Sequence, residues 1–451
     1  MWWRAPWLKE RWMLLSLALF DALLLAGSYN LLFWHRFDQW AGLTGSISTL
    51  TTLWVGSSYL LGRYSKREQG KGRKHNPALS TAAVSLLCLG VVVIIISWGL
   101  RVNDPRTFRN FVIPILLVTT IGSYCAQIFV AQQTKRPQHW LIIGSQREIE
   151  TIRKELDQQS STMPSDVIFL PTEEQAFTIA APQQEFDGIA ISEIADLPDQ
   201  LIEQLLELRS GGSCVYTLVN WSEQYLQRVP PELFSNRWLV QAEGFELQPG
   251  RLNWRVKRMG DVLVATALLV LTAPLILTAA ALIKLEDGGP VLYQQIRTGL
   301  YGEPYRIWKL RSMRSQAEPD GAAWSGRGDP RITRVGNWLR RLRIDELPQL
   351  ICVIKGEMSL IGPRPERPEI EETLELRIQH YRTRHWVRPG LSGWAQVCFP
   401  YGASIEDSRT KLSYDLYYLR NSSLLLDILI LLKTVKLVTR AEGALPNQRQ
   451  A

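Results

Sequence analysis

The chain opens with four long apolar stretches separated by polar loops. They cover residues 12–34, 43–61, 79–100 and 108–131. Each is long enough for a helix that crosses a bilayer, so we expect an N-terminal transmembrane bundle of four helices within residues 1–137. Basic residues gather before the first stretch, between the second and third, and after the fourth, which predicts that these loops and the rest of the chain are cytoplasmic. Asp21 should face the bundle interior, with a role in substrate passage as the alternative.

The following part of the chain alternates short apolar runs with amphipathic segments. Runs that predict strands cover residues 140–143, 166–170, 188–191 and 214–218, and Ile149, Ile152 and Leu156 predict a helix after the first of them. This order indicates a cytoplasmic α/β domain over residues 138–250. The turn after the first strand contains only Gly144, whereas a dinucleotide-binding turn needs several glycines. We therefore favour a structural or assembly role for this domain, with dinucleotide binding as the alternative.

A fifth apolar stretch at residues 259–283 has Pro274 near its middle. Proline removes a backbone donor and bends or breaks a helix. We predict a re-entrant membrane helix that is broken at Pro274 and returns to the cytoplasmic face, with a kinked spanning helix as the alternative. The last apolar run, residues 424–438, contains Asp427, Lys433 and Lys436, which favours an amphipathic helix at the membrane surface.

Charge is distributed unevenly over the three parts of the chain. Residues 1–137 carry 15 basic and 5 acidic side chains, residues 138–250 carry 6 and 18, and residues 251–451 carry 30 and 20. The basic parts favour anionic lipid headgroups and phosphates. We expect no nucleic-acid partner, because no nucleic-acid-binding module accompanies this charge. The five cysteines and five histidines have no zinc-ligand spacing.

The most informative polar motif combines two adjacent carboxylates with a restrained arginine. Asp345 and Glu346 precede Pro348, which predicts a helix over residues 348–355 with both carboxylates ionised at its N-terminal end. An ionised Asp is suited to act as a nucleophile or a magnesium ligand. Arg364 stands between two prolines and could offer its guanidinium to a phosphate. A helix cap beside a surface salt bridge is the alternative for the carboxylate pair.

Seven stretches from Trp254 to Arg440 together resemble the bacterial sugar transferase family, the polyprenyl-phosphate phosphoglycosyltransferases that begin exopolysaccharide, capsule and O-antigen synthesis. In chain order the stretches are Lys-Arg-Met-Gly-Asp at 257–261, Arg-Thr-Gly at 297–299, Trp-Lys-Leu-Arg-Ser-Met at 308–313, Asp-Glu-Leu-Pro-Gln-Leu at 345–350, Gly-Pro-Arg-Pro at 362–365, Arg-Pro-Gly-Leu-Ser-Gly-Trp-Ala-Gln at 388–396 and Lys-Leu-Ser-Tyr-Asp-Leu-Tyr-Tyr at 411–418. The chain departs from many relatives at Cys398 and over residues 399–404, which leaves the choice of sugar open.

The resemblance implies a reaction and roles for particular residues. A sugar 1-phosphate moves from a nucleoside diphosphate sugar, a UDP-hexose, to polyprenyl (undecaprenyl) phosphate, giving a polyprenyl diphosphate sugar and UMP. Asp345 is the nucleophile and a ligand of Mg²⁺, and Glu346 assists or orients the lipid phosphate. Arg364 binds phosphate, with Lys309, Arg311 and Arg388 as neighbouring cations.

The resemblance also implies a cellular setting. Large family members have N-terminal transmembrane helices, a Rossmann-like central domain and a C-terminal α/β catalytic domain, here residues 251–451, with a re-entrant helix hairpin. We expect a multi-pass protein of the bacterial inner membrane with a cytoplasmic active site, a possible homodimer, whose product passes to downstream glycosyltransferases. Residues 314–329 could form a mobile flap. The alternative is a non-catalytic membrane scaffold for polysaccharide assembly.

Overall fold

The computed structural model describes most of the chain, with gaps mainly in the loops. The described residues are 6–9, 11–61, 63–64, 77–94, 112–133, 139–158, 166–172, 186–194, 197–245, 252–314, 329–399 and 404–439. The N-terminal part is helical. Its helices are α1 (Pro6–Lys9), α2 (Trp12–Phe37), α3 (Gly45–Leu60), α4 (Pro77–Ile94) and α5 (Ile113–Gln133).

Three helices are long and apolar enough to cross a membrane: α2, α5 over Ile113–Val130, and Leu252–Asp287 further along the chain. Two of the four predicted N-terminal spans therefore meet this criterion in the described residues. Helix α3 is shorter, at 16 residues. Parts of the third and fourth predicted stretches, residues 95–100 and 108–111, lie outside the described residues.

A buried polar cluster joins the N-terminal helices. Asp21 of α2 is fully buried and accepts hydrogen bonds from the Tyr64 hydroxyl at 2.6 Å and from Trp54 Nε1 at 3.3 Å. The Arg63 guanidinium lies 3.6 Å from the same carboxylate. The burial of Asp21 confirms that it faces the interior, and all three contacts fall on its Oδ2 from residues that follow α2 in the sequence.

The central part contains a parallel four-stranded sheet in the order β2-β1-β3-β4. Its strands are β1 (His139–Gly144), β2 (Asp166–Pro171), β3 (Gly188–Ile191) and β4 (Cys214–Thr217), which confirms the predicted strands to within a residue or two. Helices α6 (Gln146–Gln158), α7 (Asp199–Ser210), α8 (Leu218–Tyr225) and α9 (Asn236–Gln241) accompany it. Residue Leu218 belongs to α8 because the Thr217 side chain caps this helix by accepting from Asn220 N at 3.2 Å.

The C-terminal part combines helices with two small sheets. Its elements are α10 (Leu252–Asp287), β5 (Leu292–Thr298), β6 (Pro304–Leu310), α11 (Arg334–Arg341), α12 (Leu350–Lys355), β7 (Ser359–Ile361), α13 (Pro368–Arg377), β8 (Gly390–Ser392), α14 (Trp394–Cys398), α15 (Ile405–Arg420) and α16 (Leu424–Thr439). Strands β5 and β6 pair antiparallel, and β7 and β8 pair parallel. Most of the proposed flap, residues 315–328, lies outside the described residues.

Helix α10 is helical through Pro274 rather than divided into two separate helices. Because proline has no N–H, the Val270 carbonyl loses its usual helical donor at this point. The side chains that α10 buries lie towards its two ends: Asp261 and Ala265 before the proline, Ala279 and Ile283 after it. The expected re-entrant course depends on how this helix meets the bilayer and stays a prediction.

One hydrophobic core joins the central and C-terminal parts. It contains Trp140 of β1, Trp221 of α8 and Tyr417 of α15. Helix α15 is tied to the central part at both ends. Arg409 donates to Glu232 at 2.6 Å and to Glu155 of α6 at 2.9 Å, and Arg420 lies 3.0 Å from Glu223.

Candidate active site

Two short helices, joined end to end, form the segment that carries the two adjacent carboxylates. Arg343 adopts a left-handed backbone conformation with φ 55°, a 3₁₀ helix follows over Ile344–Gln349, and α12 ends at Gly356 with φ 95°. The predicted helix over residues 348–355 thus begins later, at Leu350. Pro348 lies inside the 3₁₀ turn, where its missing N–H is tolerated as it would be in the first turn of an α-helix.

Three cationic side chains hold the Glu346 carboxylate. Arg364 Nη2 donates to it at 2.8 Å, and Lys309 Nζ and Arg343 Nη1 lie at 3.4 Å. Burial alone raises the pKa of Glu346, but the charges of Arg364, Lys309 and Arg343 outweigh this and hold the pKa well below its ordinary value. Glu346 is therefore ionised at neutral pH, through these cations rather than through the helix dipole that the sequence suggested.

The neighbouring Asp345 is in a different electrostatic position. The residue is 8% exposed, and within the described part of the chain no group donates a hydrogen bond to its carboxylate. Burial and the charge of Glu346 raise the pKa of Asp345, and Lys309, Arg340 and Arg364 oppose this rise. The raised pKa of Asp345 runs against the expectation that both carboxylates are ionised in the free protein. Its oxygens have no donor in the described part of the chain while positive charge lies close by, which suits a nucleophile that approaches a phosphate.

The other three predicted cations, Lys309, Arg311 and Arg388, contact three different partners. Lys309 of β6 joins Arg364 at Glu346, and burial, only partly offset by Glu346, lowers the pKa of its ammonium. Arg311 instead pairs with Asp287 at the end of α10. Arg388 stacks over the Trp254 ring, 4.6 Å from its centroid. The structure therefore brings Lys309 and Arg364 to the carboxylate pair and gives Arg311 and Arg388 other partners.

Backbone contacts fix the loop that carries Arg364. Arg384 Nη2 donates to the Arg364 carbonyl at 2.9 Å, Arg297 Nη1 donates to the Pro365 carbonyl at 3.1 Å, and Gly390 N donates to the Pro363 carbonyl at 2.8 Å. The loop is therefore ordered by its own carbonyl groups as well as by its two prolines, which leaves the Arg364 side chain aimed at Glu346.

Sequence reasoning did not assign roles to Arg297 or Arg384, or to Asp415, which lies 3.0 Å from Arg384. Arg297 and Asp415 stand within stretches that carried the family resemblance, so the signal for them was present. Arg343 stands two residues before Asp345 and belongs to an arginine-rich stretch in which one or two members were expected to steer a diphosphate. Nothing in the sequence marks Arg384.

The imidazole of His385 is neutral at neutral pH. It is buried, and its Nε2 lies 3.5 Å from Glu371 Oε1. Burial, together with the charges of Arg384 and Arg382, lowers the pKa of His385 to about 3. His385 lines a small cleft together with Arg364 and Arg384, and its neutral imidazole adds no positive charge there at neutral pH.

The carboxylate pair can supply a limited ligand set for a metal ion. Over the described residues there is no group of three or more His, Cys, Asp or Glu side chains that could hold one. Magnesium is commonly bound by one or two carboxylates together with substrate phosphates and water. Asp345 fits that role because its oxygens are not taken by donors, whereas those of Glu346 are shared among three cations.

The turn after β1 in the central sheet is filled by a side chain of the protein. The Glu148 carboxylate accepts hydrogen bonds from Ser145 N at 2.9 Å, Ser145 Oγ at 2.8 Å and Ser192 Oγ at 2.8 Å. Ser145 and Ser192 follow the adjacent strands β1 and β3. In doubly wound sheets a ligand phosphate binds at this crevice. Here a buried carboxylate takes up its donors, which favours a structural role.

Comparison with known proteins identifies the family. Residues 252–441 match the family described as bacterial sugar transferase. The chain is 31% identical over 365 residues to an undecaprenyl-phosphate glucose phosphotransferase of Komagataeibacter xylinus, which covers 76% of this chain and 68% of that protein. The chain belongs to the bacterial sugar transferase family. The expected family membership is confirmed.

Two further relatives match less than half of this sugar transferase. A UDP-N-acetylgalactosamine-undecaprenyl-phosphate N-acetylgalactosaminephosphotransferase of Aeromonas hydrophila is 47% identical over 198 residues, which covers 44% of this chain and 47% of that protein. A UDP-glucose:undecaprenyl-phosphate glucose-1-phosphate transferase of Caulobacter vibrioides is 44% identical over 190 residues, 42% of this chain and 71% of that protein. The chain thus spans about half the length of the Aeromonas relative.

Proposed function

We propose that this chain is a polyprenyl-phosphate hexose-1-phosphate transferase. It takes a sugar 1-phosphate from a nucleoside diphosphate sugar, a UDP-hexose, and gives polyprenyl diphosphate sugar and UMP. The observation that carries the proposal is the buried Asp345 carboxylate, which has no hydrogen-bond donor among the described residues and lies beside the cations gathered around Glu346. The names of the relatives, which include glucose and N-acetylgalactosamine transferases, support the reaction class.

The reaction has two half-reactions at one phosphorus atom. In the first, an Asp345 oxygen attacks the sugar-linked phosphorus, a new P–O bond forms, and the bond to the bridging oxygen breaks so that UMP leaves with that electron pair. In the second, an oxygen of the polyprenyl phosphate attacks the same phosphorus, and the Asp345 carboxylate leaves. Covalent catalysis of this kind divides one difficult displacement into two easier ones.

The other residues of the site act through charge and position. Arg364 and Lys309 place positive charge where the diphosphate accumulates negative charge. Glu346 holds these two side chains in place, and its low pKa makes it a weak base, so its main contribution is orientation. Mg²⁺, held in part by Asp345, offsets diphosphate charge when bound.

We also propose the three-part organisation of residues 1–137, 138–250 and 251–451, with α10 as a re-entrant hairpin on the cytoplasmic side of the inner membrane. Arg258 near the start of α10 donates to the Val353 carbonyl at 2.5 Å, and Asp287 at its end pairs with Arg311. Both partners belong to the C-terminal part. A helix that spanned the bilayer would put its two ends on opposite faces, about 30 Å apart, so these contacts support re-entry.

The test is turnover by the purified full chain in lipid nanodiscs that contain undecaprenyl phosphate. A panel of UDP-sugars is supplied with Mg²⁺, and UMP and the lipid product are measured. We expect UMP formation with at least one UDP-hexose and none with Asp345→Asn, which keeps side-chain size but removes the attacking oxygen. Absence of turnover with every sugar would favour the non-catalytic scaffold.

A further inference from the structure

A second cleft opens beside the first turns of α10. Its lining combines three cations with polar and aromatic side chains: Trp254, Lys257, Arg258, Asp261, Ser359, Ile361, Val387, Arg388 and Tyr418. Neither carboxylate of the Asp345 site lines it, and neither does Arg364. The cleft is therefore a separate feature of the C-terminal part.

Arg388 is the cation in this cleft that lacks an anionic partner. Its guanidinium stacks over Trp254, and no hydrogen-bond acceptor or carboxylate pairs with it among the residues that the structure describes. Burial and the like charge of Arg258 lower the pKa of Arg388, and Asp261 offsets this only in part. The planar guanidinium thus keeps its five N–H donors for a ligand.

The other cations of the cleft are already engaged. Arg258 donates to the Val353 carbonyl at 2.5 Å and to the Ile354 carbonyl at 2.7 Å. Lys257 lies 2.7 Å from Asp427 and 3.9 Å from Asp261. Three cations face two carboxylates, so one positive charge remains uncompensated, and it is the charge of the unpaired Arg388.

The position of the cleft indicates what kind of anion would reach it. It lies at the start of α10, the most apolar of the helices long enough to cross a membrane. Beyond the cleft the helix exposes a run of large apolar side chains: Leu263, Val264, Val270 and Leu271. A molecule with a phosphate headgroup and a long apolar tail matches this arrangement, because its headgroup meets Arg388 while its tail follows the apolar face of α10.

We propose that this cleft binds the phosphate group of a membrane lipid, with Arg388 as the residue that recognises it. Two sources share this chemistry: a polyprenyl phosphate, which is a phosphate monoester, and an anionic phospholipid such as phosphatidylglycerol, which is a diester. For the polyprenyl phosphate the inference rests on the proposed function, and the cleft is then where the acceptor is held before transfer. For the phospholipid it is independent of the reaction.

The test measures lipid binding directly and needs no turnover. The full chain in phosphatidylcholine nanodiscs is loaded with undecaprenyl phosphate or with phosphatidylglycerol, and retained lipid is quantified by native mass spectrometry without nucleotide sugar. Arg388→Gln removes the charge and keeps much of the side-chain length. Arg153→Gln is the matched control, because Arg153 also stacks on an aromatic ring, Phe169 at 5.0 Å, but lies in the central part.

We expect Arg388→Gln to weaken retention of one of the two lipids by about tenfold or more, since charge-assisted hydrogen bonds to a phosphate are lost. If only the retention of undecaprenyl phosphate falls, the ligand of the cleft is the lipid acceptor. If the retention of phosphatidylglycerol falls, the ligand is a phospholipid of the bilayer. Trp254→Leu, which leaves every charge in place but removes the stacking surface, should give a smaller loss for the same lipid. Unchanged retention of both lipids by Arg388→Gln, or an equal loss in Arg153→Gln, would overturn the proposal.

Discussion

The Asp415 carboxylate lies 3.0 Å from the Arg384 guanidinium, and both side chains are almost completely buried. The same guanidinium donates to the Tyr381 hydroxyl at 2.5 Å and to the Arg364 carbonyl at 2.9 Å. Arg384 therefore links α15, which carries Asp415, to the loop that carries Arg364. It touches no reacting group in the proposed mechanism and acts as a positioning residue.

This link predicts separate effects on stability and activity. Asp415→Asn leaves the buried Arg384 charge without its counter-ion, so we expect the free energy of unfolding to fall by about 3–5 kcal/mol. The double variant Arg384→Gln with Asp415→Asn removes both charges and should recover part of that loss, as measured by thermal unfolding in detergent. Its turnover should stay at least about tenfold below that of the parent protein, because no Arg384 guanidinium donates to the Arg364 carbonyl. Recovery of activity together with stability would contradict the positioning role.

The two adjacent carboxylates are expected to differ in the covalent step. Without lipid, the parent protein should release UMP about once per active site and gain the mass of a hexose phosphate at Asp345, if the adduct is slow to hydrolyse. Asp345→Asn should show neither. Glu346→Gln should still form adduct, but more slowly, because Arg364 and Lys309 lose the anion that holds them. Adduct mapping to a residue other than Asp345 would refute the assignment of the nucleophile.

Buried His385 should make stability fall in mild acid. Its pKa in the folded protein, about 3, is below its ordinary value of 6.5. The unfolded chain therefore takes up a proton first, and the stabilisation present above pH 6.5 is lost as the pH falls towards 3. Between pH 7 and pH 5, protonation of His385 in the unfolded chain should lower the free energy of unfolding by about 2 kcal/mol. His385→Asn cannot be protonated in this range, so its thermal midpoint should decline less over that interval. Parallel declines would show that other groups dominate.

The re-entrant course of α10 can be tested by labelling. Glu303 lies in the exposed turn between β5 and β6, so Glu303→Cys in an otherwise cysteine-free chain offers an accessible thiol. We expect an impermeant maleimide to modify it only after the inner membrane is opened. Gln39→Cys, exposed in the loop between α2 and α3, is the opposite-side control and should react in intact spheroplasts. Reaction of Glu303→Cys in intact spheroplasts would place the active site outside and exclude re-entry.

A chain that begins at residue 251 should retain measurable transfer with reduced stability. It keeps Asp345, Glu346 and Arg364, but it loses the Glu155 and Glu232 partners of Arg409 and the Gln227 carbonyl that accepts from Trp394 Nε1 at 2.9 Å. We expect a loss of about 3 kcal/mol, which lowers the thermal midpoint by roughly 10 °C. A chain that begins at residue 213 keeps the Glu223 partner of Arg420. Its thermal midpoint should lie between those of the full chain and the chain that begins at residue 251. Complete inactivity of a folded, membrane-inserted short chain would show that catalysis depends on the central part.

The sequence predicted those features that depend on local pattern. The strands of the central sheet follow from their apolar runs, and α12 ends at Lys355, where the predicted helix over residues 348–355 ends. The gathering of Lys309 and Arg364 at the carboxylate pair was expected from the family resemblance, and the contacts at Glu346 agree with it.

Other features depend on contacts that are distant in the chain. Arg311 pairs with Asp287, and Arg388 stacks on Trp254, 134 positions earlier in the numbering. No periodicity encodes such pairings, because they arise only when α10 packs against the C-terminal part. The start of α12 was misplaced for a local reason: a proline can occupy a 3₁₀ turn as well as the first turn of an α-helix, and its position in the sequence does not distinguish them.

Helix α15 fixes a distance as well as an orientation. Arg409 and Arg420 bind different elements of the central part and are 11 residues apart in one continuous helix, which separates them by about 16 Å along its axis. One inserted residue between them would move Arg420 by about 1.5 Å and turn it by about 100°, away from Glu223. Neither ion pair could adjust to that without breaking the other. Length variation among natural variants of this chain is therefore expected in the loops that flank α15 and not between these two arginines.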